Sequence, residues 1–384
     1  MNASPTHELG AALRREVLDP MKAVFVGKDE VIDLMGIALV AGENLFLLGP
    51  PGTAKSALVF ELGRRLHGRT FEYLLTRFTE PNELFGPFDI RRLREGELST
   101  NTEGMLPEAD LVFLDELLNA NSAILNALLT VLNERVFRRG RERRDLPMLM
   151  AVGASNHLPE EDALAALFDR FLLRVRCDNV PDEGLAAVLS AGWKLDLDLH
   201  EREGGLSVDD VRALTRALST VDLGQAREAY VELVLRLRHA GIPLSDRRAV
   251  KLQKPIAASA LLAGRQHALP ADLWVLRYVW ENEEQREVLV ELVEESLRDH
   301  PTEEALHPRA RGAEAPDPEL LARDLARIEQ RLAEGEPRPS DLAWLRDRLA
   351  VLSSRSAWVE DAAARSQLEQ RVQQLAQSVG GLER

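Results

Sequence analysis

Leu45-Phe46-Leu47-Leu48, then Gly49-Pro50-Pro51-Gly52-Thr53-Ala54-Lys55-Ser56, then the amphipathic stretch Ala57 to Leu66, decides the fold. An apolar run reads as a buried strand, a glycine- and proline-rich octet as a turn, and the last segment as a helix. Strand, loop and helix in that order are the setting a phosphate-binding loop requires. The backbone N–H groups of such a loop converge on phosphate oxygens, and the helix N-terminus adds its dipole. Gly49, Pro50, Pro51, Gly52, Thr53, Ala54, Lys55, Ser56 and Ala57 are therefore the expected ATP-binding residues. Lys55 is placed to reach the terminal phosphates and the Ser56 hydroxyl to hold Mg²⁺. Ala54 stands where the strict pattern has glycine, so that position must accept a Cβ.

Downstream, Leu111-Val112-Phe113-Leu114 reads as a buried parallel strand, with Asp115 and Glu116 emerging at its carboxyl end. Ligands of open α/β sheets sit at that edge. Asp115 is placed to support the Mg²⁺ shell and Glu116 to polarise the attacking water. Met148 to Gly153 is a further strand, ending in Ala154-Ser155-Asn156. Asn156 there is either a turn residue or an amide aimed at the γ-phosphate or the water. In Leu167-Phe168-Asp169-Arg170-Phe171, the arginine is either an ion-pair partner of Asp169 or a finger that stabilises the transferring phosphoryl group.

The 384 residues divide into three zones. Residues 1 to about 187 alternate strand and helix patterns, with strands expected at 44–48, 70–76, 111–114, 148–154 and 172–176. From 188 to 305 the pattern is helical throughout, an all-α lid. His307 to Pro318 reads as a linker. Beyond it, from about 316 to 384, come three leucine stripes that predict a helical bundle. They are Leu321, Leu325, Ile328, Leu332; Leu342, Leu345, Leu349, Leu352; and Leu368, Val372, Leu375, Val379. The composition, 45% hydrophobic and 29% charged, is that of a globular protein. No apolar run has the length of a membrane span, and Met1 to Glu8 lacks the layout of a secretory signal. A cytoplasmic location is the expectation. The net charge of −15 disfavours broad attraction to nucleic acid.

These motifs together resemble AAA+ ATPases of the MoxR family, most closely the RavA-type branch. Besides Gly49–Ser56, the resemblance rests on Glu83-Leu84-Phe85-Gly86-Pro87 and Glu103-Gly104-Met105-Leu106-Pro107-Glu108-Ala109. Its most specific part is the run from Phe113 through Asn119-Ala120-Asn121-Ser122 to Leu132-Asn133-Glu134-Arg135. Ser155-Asn156, Asp169-Arg170-Phe171 and Ser245-Asp246-Arg247-Arg248 complete it, over roughly residues 20 to 255. The resemblance implies that Asn156 is sensor 1, that Arg170 is an arginine finger acting on the next subunit's nucleotide, and that Arg247 is sensor 2, with Arg248 its rival. It implies that Gly27-Lys28-Asp29-Glu30 borders the adenine. It also implies that residues 86 to 107 form an inserted β-hairpin, with strands near Phe88–Leu93 and Glu97–Thr102. For the whole protein it implies ATP hydrolysis by a ring, usually a hexamer, that remodels a partner protein, often one carrying a von Willebrand factor A domain. The β-rich module of the RavA type has no counterpart in this sequence.

Two other functions compete. The basic run Arg138-Arg139-Gly140-Arg141-Glu142-Arg143-Arg144 reads as a hairpin, either a solvated turn or a grip on nucleic acid by a ring motor. A nucleotide-gated scaffold that does not hydrolyse ATP usually lacks its Lys55 or Glu116 equivalent, and both are present. The histidines show no metal-ligand spacing. Cys177 reads as structural, and Trp274 and Trp280 as packing residues, within the lid or against the last domain.

Overall fold

The computed structural model describes residues 6–95, 99–140, 142–159, 162–180, 185–197, 205–300, 306–311 and 362–381, with 325, 328, 329, 349, 352 and 356. Two compact units result, Met1–Ala310 and Arg311–Arg384.

The first unit opens with helices α1 (Thr6–Leu13), α2 (Asp19–Val24) and α3 (Asp29–Ala41). Five parallel strands follow: β1 (Asn44–Leu48), β2 (Thr70–Leu74), β3 (Leu111–Asp115), β6 (Met150–Ser155) and β7 (Phe171–Arg176). Their order in the sheet is β2-β3-β6-β1-β7. Every residue of β1 and β6 is buried, as a strand covered on both faces must be. The helices between them are α4 (Lys55–Arg65), α5 (Pro81–Phe85), α6 (Ile90–Arg94), α7 (Ser122–Glu134) and α8 (Asp162–Phe168). Asn121 caps α7, its Oδ1 accepting from Ala123 and Ile124 N–H. Its Nδ2 donates to the Arg77 and Thr79 carbonyls, which ties the loop after β2 to the start of that helix.

The inserted segment differs from the expected hairpin. Phe88 and Thr100 form one antiparallel bridge, and Asp89 N–H donates to Ser99 O, but Ile90–Arg94 is α6 rather than a strand. The reason is local: Asp89 Oδ1 accepts from Arg91 and Arg92 N–H and caps a helical turn. Residues 96–98 lie outside the described residues.

The basic run does form a hairpin, β4 (Val136–Arg139) with β5 (Glu142–Asp145). Three of its arginines, Arg138, Arg139 and Arg144, are engaged within the chain. Arg138 pairs with Glu134 at 2.9 Å. Arg139 donates to Gly86 O and Asn82 Oδ1 and lies over the Phe88 ring. Arg144 reaches Thr102 and Glu108.

Beyond β7 the described chain is helical, with α9 (Leu185–Asp196), α10 (Val208–Ala217), α11 (Gly224–His239), α12 (Asp246–Leu262), a 3-10 run Pro270–Tyr278 and α13 (Glu283–Asp299). Trp274 and Trp280 are buried in it, and Trp274 Nε1 donates to Ser259 Oγ at 2.9 Å. Buried Arg174 joins the sheet to this helical region, and buried Arg248 meets it on the same carbonyl from within that region. Arg174 of β7 donates to the Val279, Trp280 and Phe168 carbonyls, and Arg248 of α12 donates to Val279 O.

His307, expected in a linker, is fully buried and stacked on Trp274 at 4.8 Å. The adjoining Arg309 Nε pairs with Asp33 Oδ2 at 3.0 Å, so this segment packs on α3 and belongs to the first unit. Burial holds the His307 imidazole down at about 4, against a partial opposing pull from Asp33. Its folded value is thus below its unfolded one of about 6.5. The neutral ring stabilises the fold above pH 6.5, and that contribution is lost as pH falls from there through about 4. The loss is on the order of 3 kcal/mol. Urea midpoints should fall across this window, and His307→Phe, which keeps the stack without the proton, should flatten the fall. Equal slopes for both proteins would remove His307 as the cause.

In the second unit the described helix is α14 (Ala362–Gly381). Leu325, Ile328, Leu349, Leu352, Leu368, Val372, Leu375 and Val379 form one buried cluster, so all three expected stripes contribute to a single core. Leu321, Leu332, Leu342 and Leu345 lie outside the described residues. A bidentate ion pair, Arg371 to Glu329 at 3.0 Å, ties α14 to the residue next to Ile328 of the first stripe.

Candidate functional site

The phosphate loop leaves the carboxyl end of β1 and enters α4. Gly49 N–H donates to Ser155 O, and Cys177 N–H donates to Leu48 O, so the loop is braced by both neighbouring strands. Cys177, buried, also meets Thr53 O through Sγ at 3.4 Å. A Cβ on Gly49 would lie 2.2 Å from Cys177 O, which makes glycine obligatory there. Lys55 Nζ donates to Gly49 O at 2.9 Å and Pro50 O at 2.8 Å, holding the ammonium over the loop. Above Gly52 the space is open: a Cβ added there meets nothing within 4 Å. An open cradle, a fixed ammonium and a helix N-terminus bearing Ser56 fit a nucleotide polyphosphate.

Ala54 adopts φ 64, ψ 25, the left-handed region. A Cβ there costs about 1–2 kcal/mol. Glycine removes that strain and returns about 0.4–1 kcal/mol of unfolded-chain entropy. Ala54→Gly should therefore stabilise the chain by about 0.5–1 kcal/mol. A urea midpoint unchanged or lowered by the substitution would contradict this.

The other expected carboxyl-edge residues converge on the same edge. Asp115 ends β3, Glu116 follows it, and exposed Asn156 follows β6, the strand between β3 and β1. The strand spacing sets Asp115 and the loop about 10 Å apart, with Asn156 between them. Glu116 is itself left-handed, φ 49, ψ 43, and its N–H donates to Asp115 Oδ1. Non-glycine residues persist in that conformation only where the surroundings enforce it, and such sites are often functional. Burial first, and then the charge of Asp115, raise the Glu72 carboxyl above its ordinary value. Among the described residues no cluster of three or more His, Cys, Asp or Glu is set to bind a metal. Ser56 and Asp115 alone suit Mg²⁺, which takes few protein ligands and completes its shell from phosphate and water. Gly27-Lys28 reaches this edge too, with Lys28 Nζ donating to Asp178 O and Tyr278 donating to Glu30.

Arg170 and Arg247 are elsewhere. Asn44 opens β1 and pairs in register with Phe171, so Arg170 lies at the amino edge of the sheet. Five strand residues, about 17 Å, separate that edge from the phosphate loop. Arg170 pairs with Asp169 at 2.9 Å, while its buried Nε has no partner. Asn44 fixes the segment: its Nδ2 donates to Arg170 O at 2.9 Å and to Leu132 O at 3.3 Å. Arg247, exposed at the start of α12, donates to Asn133 on the same edge. Asp169, Arg170, Arg247, Arg248 and Lys251 line one small cleft.

The structure separates the two adjacent arginines. Arg248 is buried, ion-paired with Glu281, and its guanidinium is held below its ordinary value by burial. Arg247 faces out. The signal was present in the stripe of α12: Leu252 and Ile256, spaced four apart, continue back to Arg248. Asn44, Asn133 and Lys251 were missed by reading motifs alone. Asn44 had a signal, an amide opening an otherwise apolar strand, whereas Lys251 had only its helical phase with Arg247.

The profile of the MoxR domain in the MoxR-vWA-beta-propeller ternary systems matches residues 11–216, and that of an AAA lid domain matches 227–293. Uncharacterized protein MJ0812 of Methanocaldococcus jannaschii is 35% identical over 272 residues, 70% of this chain and 71% of that protein. Chaperone MoxR1 of Mycobacterium tuberculosis is 29% identical over 304 residues, covering 71% of this chain and 78% of that one. A crystal structure from Cytophaga hutchinsonii, described as that of a candidate ATPase, superposes with a TM-score of 0.63. At 20% identity, covering 77% of this chain and 96% of that one, it is similar in fold.

Proposed function

Because the chain belongs to the MoxR family of AAA+ ATPases, we propose that it hydrolyses ATP in a ring whose active sites are shared between neighbouring copies. The supporting observation is the split between edges. The nucleotide loop and the acids lie at the carboxyl edge, and Arg170 and Arg247 at the amino edge of the same sheet. One copy cannot bring both to one nucleotide across about 17 Å of strand. A heterologous contact between the two edges, closing by rotation, makes a ring.

Within that site Lys55 and the loop N–H groups hold the phosphates. Glu116 orients and deprotonates the attacking water, and Asn156 hydrogen-bonds the water or the γ-phosphate. Mg²⁺, held by Ser56 and Asp115, would neutralise charge on the phosphates. Arg170 and Arg247 of the neighbour stabilise charge on the transferring group. The work done with that energy is remodelling of a partner protein. The description of the matching profile makes a von Willebrand factor A protein the first partner to test. Placement in the RavA-type branch is part of this proposal and rests on the whole motif set from Gly49–Ser56 to Ser245–Arg248. The nucleic-acid alternative loses support, because Arg138, Arg139 and Arg144 are spent on internal contacts.

Sedimentation of Glu116→Gln with Mg²⁺-ATP tests the reading. A closed oligomer, six copies being the expected number, should form with nucleotide and shrink without it. A chain that binds ATP and stays monomeric at all concentrations leaves the two edges unconnected and ends the proposal.

A further inference from the structure

The cleft at the amino edge holds more positive charge than its own chain consumes. Of its cations, Arg248 is committed to Glu281 and Arg170 to Asp169, yet both retain a buried Nε without a partner. Arg247 rests on a neutral amide, Asn133. Lys251 follows Arg247 by one helical turn, on the same face of α12. It pairs with Glu43 at a long 3.4 Å, and Glu43 is already paired with Lys254 at 2.9 Å. Buried Arg135, held down at about 10 by desolvation and supported by the Glu43 charge, adds another cation to that carboxylate. Lys251 is thus surplus to the needs of Glu43. The N-terminus of the 17-residue α12 adds its dipole to the same cleft. In a chain of net charge −15, this is a site built for an anion.

The geometry points to Lys251 as a third residue that acts across the interface, contacting the terminal phosphates of the nucleotide held by the neighbouring copy beside Arg170 and Arg247. In the isolated chain Glu43 parks its ammonium, and the neighbour's polyphosphate, carrying more charge than one shared carboxylate, takes it over. This rests on the shared-site reading proposed above.

The test uses full-length Lys251→Met and Lys251→Arg, with Arg170→Ala as control. Lys251→Met should bind a fluorescent ADP analogue as wild type does in its own loop, and melt at the same temperature. Its turnover should fall about 10-fold or more, as loss of one charge contact to a transferring phosphoryl group does. Lys251→Arg, which keeps the charge, should recover most of it. Mixed with Lys55→Ala, Lys251→Met should regain activity on subunit exchange, because its intact loop meets an intact Lys251. Wild-type turnover in Lys251→Met, while Arg170→Ala is dead and complemented, overturns the role of Lys251 and leaves the shared site standing. A dead Lys251→Met that Lys55→Ala cannot rescue, while Arg170→Ala is rescued, places its action inside its own subunit and equally overturns the inference. Failure of both to complement overturns the shared site itself.

Discussion

Arg170→Ala is expected to bind ATP as tightly as wild type and to lose hydrolysis by a factor of about 10³–10⁵, the contribution of an arginine finger. Binding should survive because Arg170 lies at the amino edge, a full strand length from its own phosphate loop. Turnover should collapse because the neighbour's transferring group loses a charge that the rigid sheet holds in place. Asn44 contributes to that rigidity by gripping the Arg170 carbonyl at 2.9 Å, and Arg174 by donating to the Phe168 carbonyl two residues earlier. The decisive measurement is complementation. Lys55→Ala should be dead because, without the loop ammonium, it should not hold nucleotide. In an equal mixture with Arg170→Ala, random assembly sets an intact loop against an intact arginine at about a quarter of interfaces. Activity should return to roughly that level and vanish when crosslinking blocks exchange. A fully exchanged mixture as inactive as its parts would leave Arg170 as the ion-pair partner of Asp169 and nothing more.

Glu116→Gln should also keep nucleotide and lose turnover, by about 10²–10⁴, the usual worth of a positioned general base. The amide preserves size and the left-handed turn that begins the next segment, φ 49 and ψ 43, so the loss is of proton acceptance rather than of fold. Single-turnover hydrolysis with matched binding curves separates the two. A variant that hydrolyses at the wild-type rate would transfer the water-activating role away from Glu116. Unlike Arg170→Ala, Glu116→Gln should fail to complement Lys55→Ala, since both defects lie at the same edge of the same subunit. That contrast separates residues acting within a copy from those acting across copies.

What could be read from the sequence alone was whatever depends on neighbours along the chain. A phosphate loop is eight consecutive residues between a strand and a helix, so its chemistry is local. The acid pair at the end of β3, the parallel sheet and the helical character of the lid follow from patterns of period two and 3.6. The three leucine stripes beyond residue 320 likewise announced a common core, and eight of their positions share one. The failures were also local in origin. One capping contact, Asp89 to Arg91 N–H at 2.9 Å, turned an expected strand into α6. Tertiary structure decided what depends on distance through space. Arg247 and Arg248 are adjacent in sequence but about 100° apart around α12. The packing of that helix against the Val279–Glu281 segment buries one, and the other reaches out to Asn133. The same packing carried Arg247, and Lys251 one turn on, to the amino edge beside Arg170, away from the phosphate loop of their own subunit. His307 became a core residue because Asp33 and Trp274, more than thirty positions distant in sequence, form its pocket. A linear pattern records which residues can form a helix or hold a phosphate; which edge of the sheet each one reaches is set by how the lid folds back on it.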